Sequence, residues 1–174
     1  MRITIIFLFL ITFFTQINFA QENKYPCETD ENYQKLNFWI GEWDVYDKDN
    51  NLVGHNKIEK ILHDCAIIEN WTSANGNKGK SFFYYNNYKN EWNQVWITEN
   101  ALRPGGTKEK KLIEEFEDGS LRFQGGYPYK GNPVLDRTTL SPLEDGRVKQ
   151  LIEWSSDDGE TWKESFLAYY VKKK

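Results

Sequence analysis

The side chains best suited to chemistry in this sequence are a few polar groups set among aromatic residues. Arg137 and the amides of Gln94 and Gln150 can hydrogen-bond a carboxylate or a carbonyl oxygen. Large aromatic rings elsewhere in the chain can bury the apolar body of a small ligand. We predict one ligand site formed by Trp43, Tyr85, Trp92, Gln94, Trp96, Arg137, Gln150 and Trp154. The alternative is a solid core in which Arg137 pairs with Glu69 or Glu153.

An acid–base site is the second kind of chemistry that the residue types allow. Glu69, His63 and Tyr85 could exchange a proton with a bound lipid or glycan, as in an isomerase, a cyclase or a hydrolase. His55 and His63 lie near each other in the sequence, but no serine or cysteine has the setting of an activated nucleophile. We therefore predict no catalytic residue and interpret both histidines as surface or rim residues. An enzyme that acts on a lipid or glycan stays an alternative to the ligand-binding protein.

A turn motif near the C-terminus, residues 155–162, has the pattern Ser-x-Asp-x-Gly-x-Thr-Trp. The same pattern occurs in sialidase propellers, once per blade and away from the catalytic site. A single copy cannot build a propeller, which excludes a sialidase. An aspartate in this position can cap the backbone N–H groups of a hairpin. We interpret the motif as a structural turn.

Two cysteines, Cys27 and Cys65, follow the N-terminal apolar segment. An even cysteine count favours one disulfide if the chain is exported, here across a loop of 65 − 27 = 38 residues. The alternatives are two buried thiols or a metal pair. A metal site would need more ligands, and His55 and His63 are the only imidazoles. We predict the disulfide and no metal.

The first 20 residues differ from the rest of the chain. They hold Arg2 and no acidic residue, an apolar run at 5–11, and the small residue Ala20 before a polar stretch. The apolar run is too short to span a bilayer, and the whole segment has the pattern of a signal peptide. We predict a signal peptide at 1–20 and a secreted or periplasmic protein, delivered by bacterial export. The alternative is an uncleaved N-terminal anchor.

The remainder of the chain has the composition of one folded domain. Removing 20 residues from 174 leaves 154, with 21 basic and 26 acidic residues and a net charge of −5. A mildly acidic chain without a basic stripe argues against nucleic acid as a partner. No second apolar run is long enough for a membrane span, so we expect none after cleavage. Its seven Trp and ten Tyr exclude disorder.

Hydrophobic periodicity predicts strands over most of the chain. Residues 29–36 have a helix-capping residue followed by acids, which predicts a short helix within an N-terminal segment at 21–40. From Gly41 onward the period is two, and Asp-Gly pairs mark hairpin turns. The predicted strands of this domain, 41–174, are 41–48, 52–61, 64–73, 79–87, 92–99, 108–117, 120–126, 134–142, 147–156 and 161–172.

Ten consecutive strands joined by hairpins form a meander, and a long meander removes its exposed edges best by closing. The sequence therefore predicts an all-β fold, a single antiparallel up-and-down β-barrel of about ten strands. A sandwich is the alternative, because residues 100–107 and 127–133 could form longer crossing connections.

Gly41-x-Trp43 opens the first predicted strand, as a similar step does in lipocalin-type barrels. With 64–71, 84–85, 92–97, 150–162 and 169–170 in order, the chain resembles the DUF1579 family of secreted calycin-like (lipocalin-like) proteins of unknown function. The resemblance covers nearly all of the chain after the signal peptide and implies a barrel, without implying an activity. Nitrobindin-like barrels bind haem through a histidine near the C-terminus, and the last strand here has none. We expect no haem and no other cofactor.

These observations predict an exported barrel that binds one small hydrophobic or amphipathic molecule without transforming it. Two alternatives stay open. One is an enzyme of the same fold, and the other is a module whose exposed tryptophan or tyrosine rings bind glycans or another protein. The identity of the ligand and the oligomeric state have no signal in the sequence.

Overall fold

The computed structural model describes residues 24–173, and ten strands follow an N-terminal segment. The predicted signal peptide lies outside the described residues and stays a prediction. Within residues 24–173 no helix is long and apolar enough to cross a membrane. The strands are β1 (Gly41–Asp47), β2 (Leu52–Ile61), β3 (Ala66–Ser73), β4 (Lys78–Asn86), β5 (Glu91–Thr98), β6 (Thr107–Glu115), β7 (Leu121–Tyr129), β8 (Asn132–Pro142), β9 (Val148–Ser155) and β10 (Lys163–Lys172).

The strands form one closed antiparallel barrel. Each strand pairs with its neighbours in the chain, and β1 pairs with β10 to complete the ring. Closure places Val45 opposite Tyr170 and leaves none of these ten strands with a free edge for another chain to pair with. The predicted barrel is confirmed, and the sandwich is excluded. All ten predicted strands are present, with boundaries that differ by at most three residues.

The barrel is filled with apolar side chains at the end where the N-terminal segment lies, which we call the closed end. Trp39 and Trp43 are buried there, and the Trp43 Nε1–H donates to the Trp39 carbonyl oxygen at 2.8 Å. The Trp39 ring meets Phe83 and Tyr170 edge to face, with centroids 5.5 and 5.9 Å away. The other fully buried side chains of this core include Leu36, Ile58, Ile67 and Leu140. Edge-to-face packing of this kind stabilises a core beyond its buried area.

The N-terminal segment is fastened across the closed end by covalent and polar contacts. A disulfide joins Cys27 to Cys65, which confirms the predicted pairing. The Trp92 Nε1–H donates to the Asn32 carbonyl oxygen at 2.8 Å. The segment contains short 3-10 turns, at Pro26–Glu28, Glu31–Gln34 and Asn37–Trp39. The predicted helix at 29–36 is therefore reduced to a single turn.

Candidate functional site

A layer of polar side chains crosses the barrel above the closed end, and we call it the polar layer. Its members are buried and face inward, because inward positions alternate along every strand. Seven different strands supply one residue each. The members are Asn56, Glu69, Ser81, Gln94, Lys110, Thr138 and Gln150.

Glu69 is held in the polar layer by neutral hydrogen-bond donors. The Asn56 Nδ2–H donates to Glu69 Oε1 at 2.7 Å, and the Ser81 hydroxyl donates to Oε2 at 2.6 Å. Gln94 Nε2–H donates in turn to Ser81 Oγ at 3.0 Å. Burial raises the pKa of the Glu69 carboxyl, and the bonds from Ser81 and Asn56 oppose that rise only in part. The neutral form of Glu69 is therefore favoured relative to an exposed glutamate.

Two lysines and one aspartate form a charged group on the other side of the interior, and we call Lys108, Lys110 and Asp136 the lysine cluster. Lys108 Nζ donates to Asp136 Oδ2 at 2.7 Å, and Lys110 Nζ pairs with the other carboxylate oxygen. Lys110 also donates to Thr138 Oγ1 at 2.6 Å. Burial lowers the pKa of Lys110 to about 8, although Asp136 acts in the opposite direction. Lys110 is still mostly protonated at neutral pH.

Tyr170 links the polar layer to the core of the closed end. Its hydroxyl donates to Gln150 Oε1 at 2.9 Å and accepts from Asn56 Nδ2 at 3.3 Å. Burial raises the pKa of the Tyr170 phenol well above its ordinary value, so the hydroxyl stays a donor. Asn56 Oδ1 and Gln94 Oε1 are buried acceptors without a partner among residues 24–173. Buried polar atoms of this kind are rare in folded proteins.

Above the polar layer the interior is aromatic, and two glycines make room for its indole rings. A β-carbon at Gly54 would lie 2.5 Å from Trp71 Cη2, and one at Gly79 would lie 2.4 Å from Trp96 Cη2. Each indole therefore lies directly against the backbone of a neighbouring strand. The Trp71 ring also meets Phe166 edge to face, with centroids 6.3 Å apart.

Between this aromatic wall and the polar layer lies a cavity of about 250 Å³. A cavity of about 150 Å³ holds benzene, so this one accommodates a molecule of roughly ten non-hydrogen atoms. Apolar surface dominates its lining, with a few polar groups at one side, as in ligand sites generally. The lining residues are Glu69, Trp71, Gln94, Trp96, Lys108, Lys110, Thr138, Gln150, Ile152, Phe166 and Tyr170.

The structure brings only part of the predicted ligand set together. Gln94, Trp96 and Gln150 line the cavity. Trp43 belongs to the closed end, where it is 1% exposed and packs against Tyr170.

Tyr85 and Trp92 contact the N-terminal segment rather than the cavity. The Tyr85 ring meets the Tyr33 ring edge to face, with the two ring centroids 5.3 Å apart. Trp92 is buried beneath the same segment and donates to Asn32. Both side chains therefore help to attach the segment to the barrel.

Arg137 and Trp154 also lie outside the cavity. Arg137 faces away from the interior and makes two hydrogen bonds to the Glu153 carboxylate, at 2.7 and 3.0 Å. Its guanidinium lies 3.8 Å from the centre of the Trp162 ring. Trp154 lies near the other end of the barrel, with Lys163 Nζ 5.2 Å from its ring centre. The alternative to the ligand site paired Arg137 with Glu69 or Glu153 in a solid core; the pairing with Glu153 is present, but it faces outward and the interior has a cavity. Arg137 therefore does not orient a ligand in the cavity.

Of the acid–base candidates, Glu69 alone lines the cavity. His63 stacks on Tyr25 at 3.5 Å and is half exposed. His55 bonds Asp44 Oδ1 at 2.7 Å through Nδ1 and is also half exposed. Both histidines are surface or rim residues, as interpreted from the sequence.

The motif at 155–162 forms the turn between β9 and β10. Asp157 accepts hydrogen bonds from the Ser155 hydroxyl at 2.6 Å, from the Thr161 N–H at 3.0 Å and from the Thr161 hydroxyl. Trp162 Nε1–H donates to the Gly159 carbonyl oxygen at 3.0 Å. The hydrogen bonds from Ser155 and Thr161 lower the pKa of Asp157 to about 2. The side chains that define the motif therefore make their hydrogen bonds within the turn itself.

Several lining residues were absent from the predicted set. Lys108 and Lys110 alternate with charged residues on β6, so the sequence shows no contrast between an inner and an outer face. The inward orientation of the two lysines could be inferred only from Leu112, which lies on the same face of β6 and packs against the core. The other lining residues outside the predicted set are Glu69, Trp71, Thr138, Ile152, Phe166 and Tyr170.

Comparison with known proteins assigns the chain to no family. No protein-family model matches it, and no curated protein shows significant similarity to it. Membership of the DUF1579 family therefore stays a prediction. The cavity and its lining side chains carry the functional conclusion.

Proposed function

We propose that the protein binds one small, partly apolar molecule inside the barrel and does not transform it. The observation that carries this proposal is the cavity of about 250 Å³ between an aromatic wall and a polar layer. The apolar part of the ligand would lie against Trp71, Trp96 and Phe166. Burial of that part favours binding by about 25 cal/mol per Å² before the costs of association.

The proposal includes export and membership of the predicted barrel family. The Cys27–Cys65 disulfide supports an oxidising compartment, because cytosolic thiols are normally kept reduced. The size of the cavity supports a metabolite of about ten non-hydrogen atoms. A long-chain lipid exceeds that volume and is excluded as a wholly enclosed ligand.

Native mass spectrometry of the protein purified from its own source tests for a resident ligand. We expect an adduct at one molecule per chain that organic solvent releases and that can then be identified. A bare mass that stays bare after incubation with small aromatic metabolites would contradict the proposal and indicate a filled barrel.

A cavity-filling variant locates the binding site. Ile152 lines the cavity, so Ile152→Trp places an indole in the space that a ligand needs. Ile97 is 49% exposed on the outer wall, and Ile97→Trp adds the same ring there as a control. By isothermal titration calorimetry, β-naphthol should bind the wild type and Ile97→Trp, and Ile152→Trp should not bind it. Equal binding by all three proteins would place the ligand elsewhere.

Catalysis is a second candidate function, and the position of Glu69 is the observation that favours it. A carboxyl with a raised pKa beside a ligand cavity has the properties of a general acid or base. Phenylacetone fits the cavity and has acidic protons next to its carbonyl group. A catalytic Glu69 would accelerate exchange of these protons in D₂O, seen by NMR, and Glu69→Gln would abolish the acceleration. The binding proposal expects no acceleration with either protein.

A further inference from the structure

The charged side chains inside the barrel do not balance one another. Lys108 and Lys110 share the single carboxylate of Asp136, so the lysine cluster has two cations and one anion. The side chains of Lys110 and Asp136 are 4% and 3% exposed, and that of Lys108 is 18% exposed. The cluster therefore has a net positive charge in a largely dehydrated place, where unpaired charge is strongly unfavourable.

Glu69 is the acidic residue among those that line the cavity, and it does not neutralise the cluster by contact. It forms no ion pair with either lysine, and its two hydrogen bonds come from the neutral side chains of Asn56 and Ser81. Burial raises the pKa of the Glu69 carboxyl and so favours its neutral form, although the charge of Lys110 acts in the opposite direction. Burial keeps the remaining titratable group of the lining, the Tyr170 phenol, in its neutral form, because it raises the pKa of that phenol well above its ordinary value. Within residues 24–173, one positive charge of the cluster is therefore left without an anionic partner in contact with it.

The lysine ammonium groups also have unused hydrogen-bond donors. An ammonium has three N–H donors, and Lys108 uses one of them on Asp136 among residues 24–173. Lys108 Nζ otherwise lies 5.1 Å from the centre of the Tyr127 ring, a contact that needs no N–H bond. Both lysines line the same cavity as Trp71 and Trp96. An anionic group at this position would supply both the missing charge and the missing acceptors.

We propose that the cavity takes a small monocarboxylate, with the carboxylate on Lys108 and Lys110 and the apolar body between Trp71 and Trp96. This inference rests on the proposed function, because it names the class of ligand for the same cavity. Lys108 and Lys110 replace Arg137 as the residues that bind the carboxylate, because Arg137, the residue predicted from the sequence, lies outside the cavity. A monocarboxylate of about ten non-hydrogen atoms fits the volume of the cavity, and its charge is opposite to the net charge of the lysine cluster.

Phenylacetate and phenylacetamide test the inference, because they have the same size and differ in charge. Isothermal titration calorimetry at neutral pH should show phenylacetate binding at least about tenfold more tightly, as expected for hydrogen bonds to a charged group. Equal or tighter binding of phenylacetamide would overturn the inference, as would failure of both probes while β-naphthol still binds. If β-naphthol does not bind either, the proposed function fails together with the inference.

Lysine variants test whether the lysine cluster causes the preference for phenylacetate over phenylacetamide. Lys108→Met should remove most of the preference for phenylacetate, and Lys108→Arg should retain it. Lys80 is exposed on β4 and bonds Asn70 on the outer wall, so Lys80→Met makes the same charge change outside the cavity. Lys80→Met should bind both probes as the wild type does. A folded Lys108→Met protein that keeps the full preference would overturn the assignment.

A second measurement needs no variant and covers the case in which Lys108→Met does not fold. Proton NMR of the wild-type complex should show Overhauser contacts between the methylene group of phenylacetate and the ε-methylene of Lys108. The phenyl ring should show contacts to the indoles of Trp71 and Trp96. Contacts confined to lysines of the outer wall, such as Lys80, would overturn the inference.

Discussion

A single methyl group added at Gly79 probes the packing of the cavity wall. Gly79 is buried on β4, and its backbone is extended, so alanine is allowed there without strain in φ. The added β-carbon would lie 2.4 Å from Trp96 Cη2 and 2.6 Å from Cζ2. Carbon atoms pack at about 3.5 Å, so the indole must move by roughly 1 Å. Because the ring lies on the inner side of the wall, it moves into the cavity.

The expected loss of stability follows from two opposing contributions. Overpacking a well-packed interior costs about 1 to 3 kcal/mol. Replacing glycine by alanine also restricts the unfolded chain, which stabilises the protein by about 0.4 to 1 kcal/mol. We expect Gly79→Ala to lower the free energy of unfolding by about 1 to 2 kcal/mol. It should also weaken β-naphthol binding, since the displaced ring occupies ligand space.

A double-mutant cycle with Trp96→Phe separates packing from other effects of the alanine. Phenylalanine is smaller than the indole and lacks the ring atoms that would meet the new β-carbon. In the Trp96→Phe background, Gly79→Ala should therefore be neutral or slightly stabilising, which gives a coupling energy of about 1 to 3 kcal/mol. Urea unfolding of the four proteins, followed by circular dichroism, measures this coupling. Additive effects, or a Gly79→Ala protein as stable as the wild type, would refute the reasoning.

Three further predictions concern the disulfide, the buried glutamate and the β9–β10 turn. Replacing Cys27 and Cys65 by serine opens a loop of 38 residues and should lower the free energy of unfolding by about 4 kcal/mol, measured in urea; an unchanged midpoint would contradict this. Glu69→Gln should raise the melting temperature at neutral pH. Because the pKa of Glu69 is raised in the native state, the native carboxyl keeps its proton at pH values at which the unfolded chain has lost it. Wild-type stability therefore falls as pH rises from about 4.5. The difference in melting temperature between Glu69→Gln and the wild type should vanish near pH 4.5. Asp157→Ala should lower the melting temperature at neutral pH. Its native pKa of about 2 lies below 3.8, so the stabilisation by Asp157 is complete above pH 3.8 and is lost as pH falls toward 2; a difference that persists unchanged at pH 2 would argue against the turn bonds.

The strands and the barrel could be predicted because each strand has one buried face. On β5, for example, Trp92 and Gln94 are buried while Asn93 and Val95 are partly exposed, and the alternation is visible in the sequence. The turns carry their own signal as well. Gly119 and Gly146 have φ values of 80° and 82°, which is the conformation that Asp-Gly pairs favour. Alternation and turns together specify a meander, and a meander of ten strands closes.

The site could be predicted only where aromatic and polar residues contrast along a strand. On β8, Asp136 and Thr138 face inward and Arg137 faces outward, yet all three are polar. A shift of phase by one residue reverses the assignment, and nothing in the local pattern resolves it. The lysine cluster is harder still. Lys110 on β6 bonds Thr138 on β8, and these strands are not neighbours in the sheet, so the contact exists only across the interior.

The change in composition along the barrel axis argues for function rather than stability. At the closed end the interior is packed with apolar side chains such as Trp39, Phe83 and Phe123, which is how a barrel of this size gains stability. One level higher, Glu69 and Lys110 are buried, and burial shifts the pKa of each toward the neutral form because desolvation penalises the charged form. A protein that needed only to fold would continue the apolar packing. Ionisable groups buried beside an aromatic cavity carry a desolvation cost at the place where a ligand gains affinity, and binding sites commonly lower stability in this way.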